Sequence, residues 1–85
     1  MKQFTYVITD EAGIHARPAG LLVKEAAKFA STTTIAKGAK KGDLKRIFAV
    51  MALGVKKGEE ITVTCDGADE DAAAAALEAF FQANL

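Results

Sequence analysis

The apolar periodicity of this chain changes abruptly at Gly13, and that change constrains the fold more than any other feature. In "FTYVIT" (Phe4 to Thr9) it repeats every second residue, so Phe4, Tyr6 and Ile8 face one way and Thr5, Val7 and Thr9 the other. The "DEAG" turn follows, with Gly13 supplying backbone freedom. From Ala16 to Phe29 the spacing is helical: Ala19, Leu22, Val23, Ala26 and Phe29 share a stripe, while Lys24, Glu25 and Lys28 lie mostly off it. Pro18 suits the first turn, where its missing N–H is not needed. A chain that alternates between these periods must lay helices on a sheet.

The remaining residues continue the alternation. "TTTIAK" (Thr32 to Lys37) is predicted as a strand, and "GAKKGD" as a tight turn into a short strand near Lys40 to Gly42. Asp43 to Leu53 is predicted as a short helix ending at Gly54, a common residue after a helix C-terminus. "ITVTC" turns Ile61, Val63 and Cys65 inward. The final helix opens on Asp69, Glu70 and Asp71, acids suited to a helix start, and runs through five alanines, Ala72 to Ala76. The expected order is β-α-β-β-α-β-α: an α+β, two-layer sandwich built as one domain over residues 1–85.

Charge narrows the function classes. Eleven basic and eleven acidic residues cancel, so no global field draws the chain to nucleic acid or an anionic membrane. The run Lys37, Lys40, Lys41, Lys45, Arg46 lacks interleaved aromatics and is expected as a solvated loop, with steering towards acidic partner surfaces as a second use. One cysteine forms no internal disulfide, and no zinc-type spacing is present. Cys65, on the inward phase of its strand, is expected as buried filler. The longest apolar run, Ile47 to Leu53, is too short to span a bilayer. These features suggest a soluble protein of a reducing, cytoplasmic setting.

Against that background "GIHARPAG" (Gly13 to Gly20) stands out, because it holds the only histidine and the only proline. A helix beginning at Ala16 puts His15 at its N-cap, where unpaired N–H groups of the first turn make a ready anion site. A neutral imidazole there is a nucleophile, and a phosphoryl group transferred to it would land where those donors converge. Arg17 adds a guanidinium suited to phosphate oxygens. The spacing is equally satisfied by a capping or surface histidine.

"KRIFAVMALG" carries seven consecutive apolar residues, too many for a helix with one wet face. Helical spacing groups Val50 with Leu53, and Ile47, Phe48 and Met51 on an adjoining arc. The arc fits either core or a partly exposed patch.

"GIHARPAG" resembles the G-[IL]-H-[AT]-R-P-A motif of the HPr family, the histidine-containing phosphocarriers of the bacterial sugar phosphotransferase system. "MALGVKKGEEITVTCDGADEDAAAAALE" is similar to the family's second signature: a short helix, a glycine-punctuated loop, a strand, and G-x-D-E before the last helix. The resemblance covers essentially the whole chain. It implies a four-stranded antiparallel sheet with three helices on one face. It also implies that His15 accepts a phosphoryl group on Nδ1 from phospho-Enzyme I and passes it to sugar-specific IIA domains. Ala16, Arg17 and Pro18 at the helix start would hold the phosphate. Gly20, Leu21, Lys24, Ile47, Phe48 and Met51 would form the partner-binding face, and the chain would act as a carrier without metal or organic cofactor, not an independent catalyst. A monomer is expected, because an apolar patch suits transient docking. The alternatives are a regulatory paralogue of the nitrogen-type branch or an allosteric docking protein, and a small binding module for RNA or a metabolite. One departure bears on regulation. Many Gram-positive members carry a kinase-modified serine where this chain has Arg46, and the nearest hydroxyls are Thr34 and Thr62. Arg46 also lacks a capping oxygen and sets a cation at a helix start, a cost of roughly 0.3–1 kcal/mol.

Overall fold

A computed structural model of residues 1–85 contains β1 (Lys2–Val7), α1 (Ala16–Ala26), β2 (Thr32–Lys37), β3 (Lys40–Asp43), α2 (Ile47–Ala52), β4 (Glu60–Asp66) and α3 (Glu70–Asn84). The strands form one antiparallel sheet in the order β1-β4-β2-β3. Element order and architecture are those expected from the alternating periodicities and the resemblance.

Register explains why one face of the sheet is covered. Phe4 lies opposite Val63, Val63 opposite Ile35, and Ile35 opposite Gly42. The period-two apolar residues therefore line one surface, on which Ile35, Ile61, Val63 and Cys65 are fully buried. Thr5, Thr62 and Ala36 align across the other surface. Leu22 and Ala26 of α1, Val50 of α2, and Ala73, Leu77 and Phe81 of α3 complete a cluster of 17 buried residues. The Phe81 ring meets Tyr6 at 5.5 Å and Phe4 edge-on at 6.0 Å, centroid to centroid. In the alanine run only Ala73 is fully buried, consistent with a helix packed through small side chains.

Most boundaries lie within two residues of expectation, and at three of those that differ a distant group captures the backbone. β1 ends at Val7, not Thr9: Ile8 stays buried, but the next N–H groups, of Thr9 and Asp10, both donate to the Leu85 carbonyl, at 2.7 and 2.9 Å. α1 stops at Ala26, not Phe29, because the Asp69 carboxylate accepts the N–H groups of Ala30 (2.8 Å) and Ser31 (2.9 Å) and the Ser31 hydroxyl. α2 starts at Ile47, not Asp43. Leu44 continues the ladder by donating its N–H to the Thr33 carbonyl (3.0 Å), which places its side chain in the core. Asp43 then closes a turn, its carboxylate accepting the Lys45 N–H at 2.9 Å.

Asp69 is thus more than a helix-start charge: those donors hold its carboxyl below the usual range, the Ser31 hydroxyl foremost. Cys65 is buried as expected, and burial pushes its thiol upward. No helix is long and apolar enough to cross a membrane.

Candidate functional site

The site begins with a turn that only glycine can make. Gly13 has φ +68°, and a Cβ there would lie 2.2 Å from the Val55 carbonyl oxygen and 2.7 Å from Lys56 Cα. That close approach lets the Ile14 N–H reach the Val55 carbonyl at 3.0 Å, while the Ile14 side chain is buried. The next residue, His15, has nowhere to go but outward.

The Val55 loop is itself braced. The Glu59 carboxylate accepts the Lys56 N–H at 2.8 Å and faces the Lys37 ammonium at 3.4 Å. These contacts hold Glu59 below the ordinary carboxylate range, the Lys56 hydrogen bond being the largest contributor. Lys57 reaches Glu11 at 2.7 Å, tying this loop to the turn that precedes Gly13.

His15 occupies the N-cap of α1 in extended conformation (φ −94°, ψ −176°), solvent-exposed, with its side chain making no cap hydrogen bond. The first helical bond runs from the Ala19 N–H to the His15 carbonyl, at 2.9 Å. The N–H groups of Ala16 and Arg17 have no protein partner, and Pro18 has none to offer. An uncapped helix start with two free donors, an imidazole and a guanidinium favours a compact anion carrying several oxygens.

These groups open onto a shallow cleft of about 260 Å³ lined by Asp10, His15, Arg17, Pro18, Leu21 and Asn84. Arg17 forms no ion pair within 4.0 Å. Asp10 and Asn84 escaped the sequence reasoning. Asp10 had a local signal, since its carboxylate accepts the Ala12 N–H at 2.8 Å in an Asx turn. Asn84 had none, because only packing of α3 brings it here. No three His, Cys, Asp or Glu side chains lie close enough to hold a metal ion.

Beside the cleft, α1 and α2 expose an apolar face. Within α2, Val50 is buried whereas Phe48 is 84% and Met51 40% exposed, and Leu21 on α1 is 47% exposed. The seven-residue apolar run is therefore divided between core and surface. Gly20 faces Ile47: a Cβ on Gly20 would sit 3.7 Å from Ile47 Cδ1. Lys24 is exposed along the same helix. The expected solvated lysine run is divided too. Lys45 donates to the Phe29 carbonyl (2.7 Å) and Lys37 to the Gly54 carbonyl (3.2 Å), while Lys40, Lys41 and Arg46 are exposed. Steric and carbonyl demands of the fold recruit the first two.

The chain is similar to known proteins over nearly its whole length. The family model for the PTS HPr component phosphorylation site matches residues 2–83. The phosphocarrier protein HPr of Mycoplasma capricolum is 50% identical over 78 residues, 92% of this chain and 88% of that protein. Its counterpart in Mycoplasma genitalium is 45% identical over 85 residues, covering 99% and 97%. The solved structure of a mycoplasma histidine-containing phosphocarrier protein superposes with a TM-score of 0.91 at 48% identity, covering 93% of this chain and 90% of that one. A structure of an HPr dimer from Thermoanaerobacter tengcongensis matches at TM-score 0.78 and 38% identity, covering 98% and 95%.

Proposed function

Because the chain belongs to the HPr family of the phosphotransferase system, we propose that His15 is the residue through which it serves as general phosphocarrier. The observation that carries this assignment is the exposed His15 ring at an uncapped helix start, with the free Ala16 and Arg17 N–H groups and the unpaired Arg17 guanidinium around one cleft.

The lone pair on Nδ1 of the neutral imidazole attacks phosphorus on phospho-Enzyme I, while Nε2 keeps its proton. The new P–N bond forms as the bond from phosphorus to the donor breaks, and that electron pair stays with the donor. Charge on the transferring group falls on the helix start and on Arg17, donors already oriented before reaction. Phosphoryl transfer needs mainly such positioning, so a small domain without metal or organic cofactor suffices. Onward transfer to a sugar-specific IIA domain reverses these steps. Pro18 starts the helix without placing a further N–H in the site.

Leu21, Ile47, Phe48 and Met51, with Gly20 and Lys24 beside them, form the face on which these partners dock in turn. Apolar, methionine-bearing surfaces repack against unlike partners at little cost. Arg46, exposed at the start of α2, offers no hydroxyl to a serine kinase. A cytoplasmic monomer fits a carrier that must present this face repeatedly.

The test is incubation with Enzyme I and phosphoenolpyruvate, followed by intact mass measurement. One acid-labile phosphoryl group is expected on the native chain and none on His15→Ala. Phosphate retained by His15→Ala would refute the assignment.

A further inference from the structure

A cleft that receives a phosphoryl group would be expected to be lined by cations, yet an acidic residue, Asp10, is among its lining residues. Asp10 is held at three points. Its N–H donates to the Leu85 carbonyl at 2.9 Å, its own carbonyl accepts the Gly13 N–H at 3.0 Å, and Oδ1 accepts the Ala12 N–H at 2.8 Å. The residue is half-buried and pairs with no cation within 4.0 Å, Arg17 of the same cleft included. The carboxylate is therefore a fixed negative charge, paired with no cation, on a residue that lines the cleft where phosphate would arrive.

From this placement we infer that Asp10 sets the phosphoryl-transfer potential of the carrier, opposing the charge of phospho-His15 so that the group is released as readily as it is taken up. This rests on His15 being the acceptor. Two backbone N–H groups and one guanidinium stabilise the phosphorylated state. Unopposed, they would make it a trap, because an interaction that favours the bound phosphoryl group hinders its departure equally. The phosphoryl group carries about 1.5 to 2 negative charges at neutral pH. A fixed carboxylate across a shallow cleft raises its energy without touching the attacking nitrogen. Asp10 is in this sense a positioning charge, not a catalytic residue. Asn84, on the same cleft, is neutral, and its side chain donates to the Phe80 carbonyl at 3.0 Å. One wall residue thus bears charge and its neighbour does not.

The test measures the ratio of phosphorylated to free carrier at equilibrium with Enzyme I, phosphoenolpyruvate and pyruvate. Asp10→Asn keeps an Oδ1 acceptor for the Ala12 N–H and removes only the charge. It is expected to shift the ratio towards the phosphorylated form by roughly three- to tenfold, the scale of one nearby charge. Asn84→Asp adds a charge to the exposed rim and should shift the ratio the other way. Asp10→Glu should stay near the native value. A ratio for Asp10→Asn within about twofold of native, or shifts of the same sign in Asp10→Asn and Asn84→Asp, overturns the inference and leaves the assignment of His15 standing. Absence of phosphorylation in the native chain removes both.

Discussion

Asp69 holds Ser31 across 38 residues of sequence, accepting its N–H at 2.9 Å and its hydroxyl as well, with the Ala30 N–H on the other carboxylate oxygen at 2.8 Å. One carboxylate at the start of α3 thus ends α1 and launches β2. The folded state holds this carboxyl below its ordinary range. Its contribution to stability is accordingly present above the unfolded value of about 3.9 and is lost as pH falls through the lower folded value. Asp69→Asn should lower Tm at neutral pH, and the gap from the native chain should narrow below about pH 4. A gap of constant size across a pH series of melting curves would contradict this.

Gly13→Ala should be among the most damaging single-atom changes. It asks an L-residue to adopt φ +68° and drives a methyl to 2.2 Å from the Val55 carbonyl oxygen. Relief requires the turn and the Val55 loop to separate, at roughly 2–4 kcal/mol by chemical denaturation. The displaced turn should also slow phosphorylation of His15.

Neighbouring positions of α2 should separate stability from docking. Phe48→Ala removes a ring that is 84% exposed, and its stability should remain within about 0.5 kcal/mol of native. Its kcat/KM as a substrate of Enzyme I should nevertheless fall about tenfold, as for an aromatic anchor of an interface. Val50→Ala, at a fully buried position, should cost about 1–3 kcal/mol.

Arg46 is the N-cap of α2 and makes no side-chain cap hydrogen bond. Arg46→Ser supplies a capping oxygen and removes a cation from the positive end of the helix, so the variant should gain roughly 0.5–1 kcal/mol. A drop in Tm would argue that the arginine stem packs usefully on its neighbours.

Cys65 is fully buried on β4, and burial pushes its thiol upward. Maleimide labelling of the native protein near neutral pH should be slow and should become rapid in denaturant. Fast native labelling would show that β4 opens locally.

Much of this molecule is legible in its sequence. The inward phase of β1 and β4, the buried stripe of α1, the helix stop at Gly54 and the N-cap placement of His15 all follow from neighbours within about one turn or a few strand residues. Local sterics and local hydrogen bonding decide such features. The resemblance added the identity of the transferred group and the expectation of a docking face.

What only the tertiary structure decided are features made by residues remote in sequence. Periodicity allowed the apolar run of α2 to be core or surface. Packing against α1 and β3 buried Val50 and left Phe48 and Met51 outside. Helical spacing continued α1 to Phe29, and the Asp69 carboxylate ended it sooner. His15 and Arg17 were identifiable from their own motif, but Asp10 and Asn84 became part of the same cleft only when the end of α3 met the turn after β1 through the Leu85 carbonyl. A motif specifies its own backbone, whereas the far wall of a cleft depends on which distant segments satisfy one another's buried polar groups.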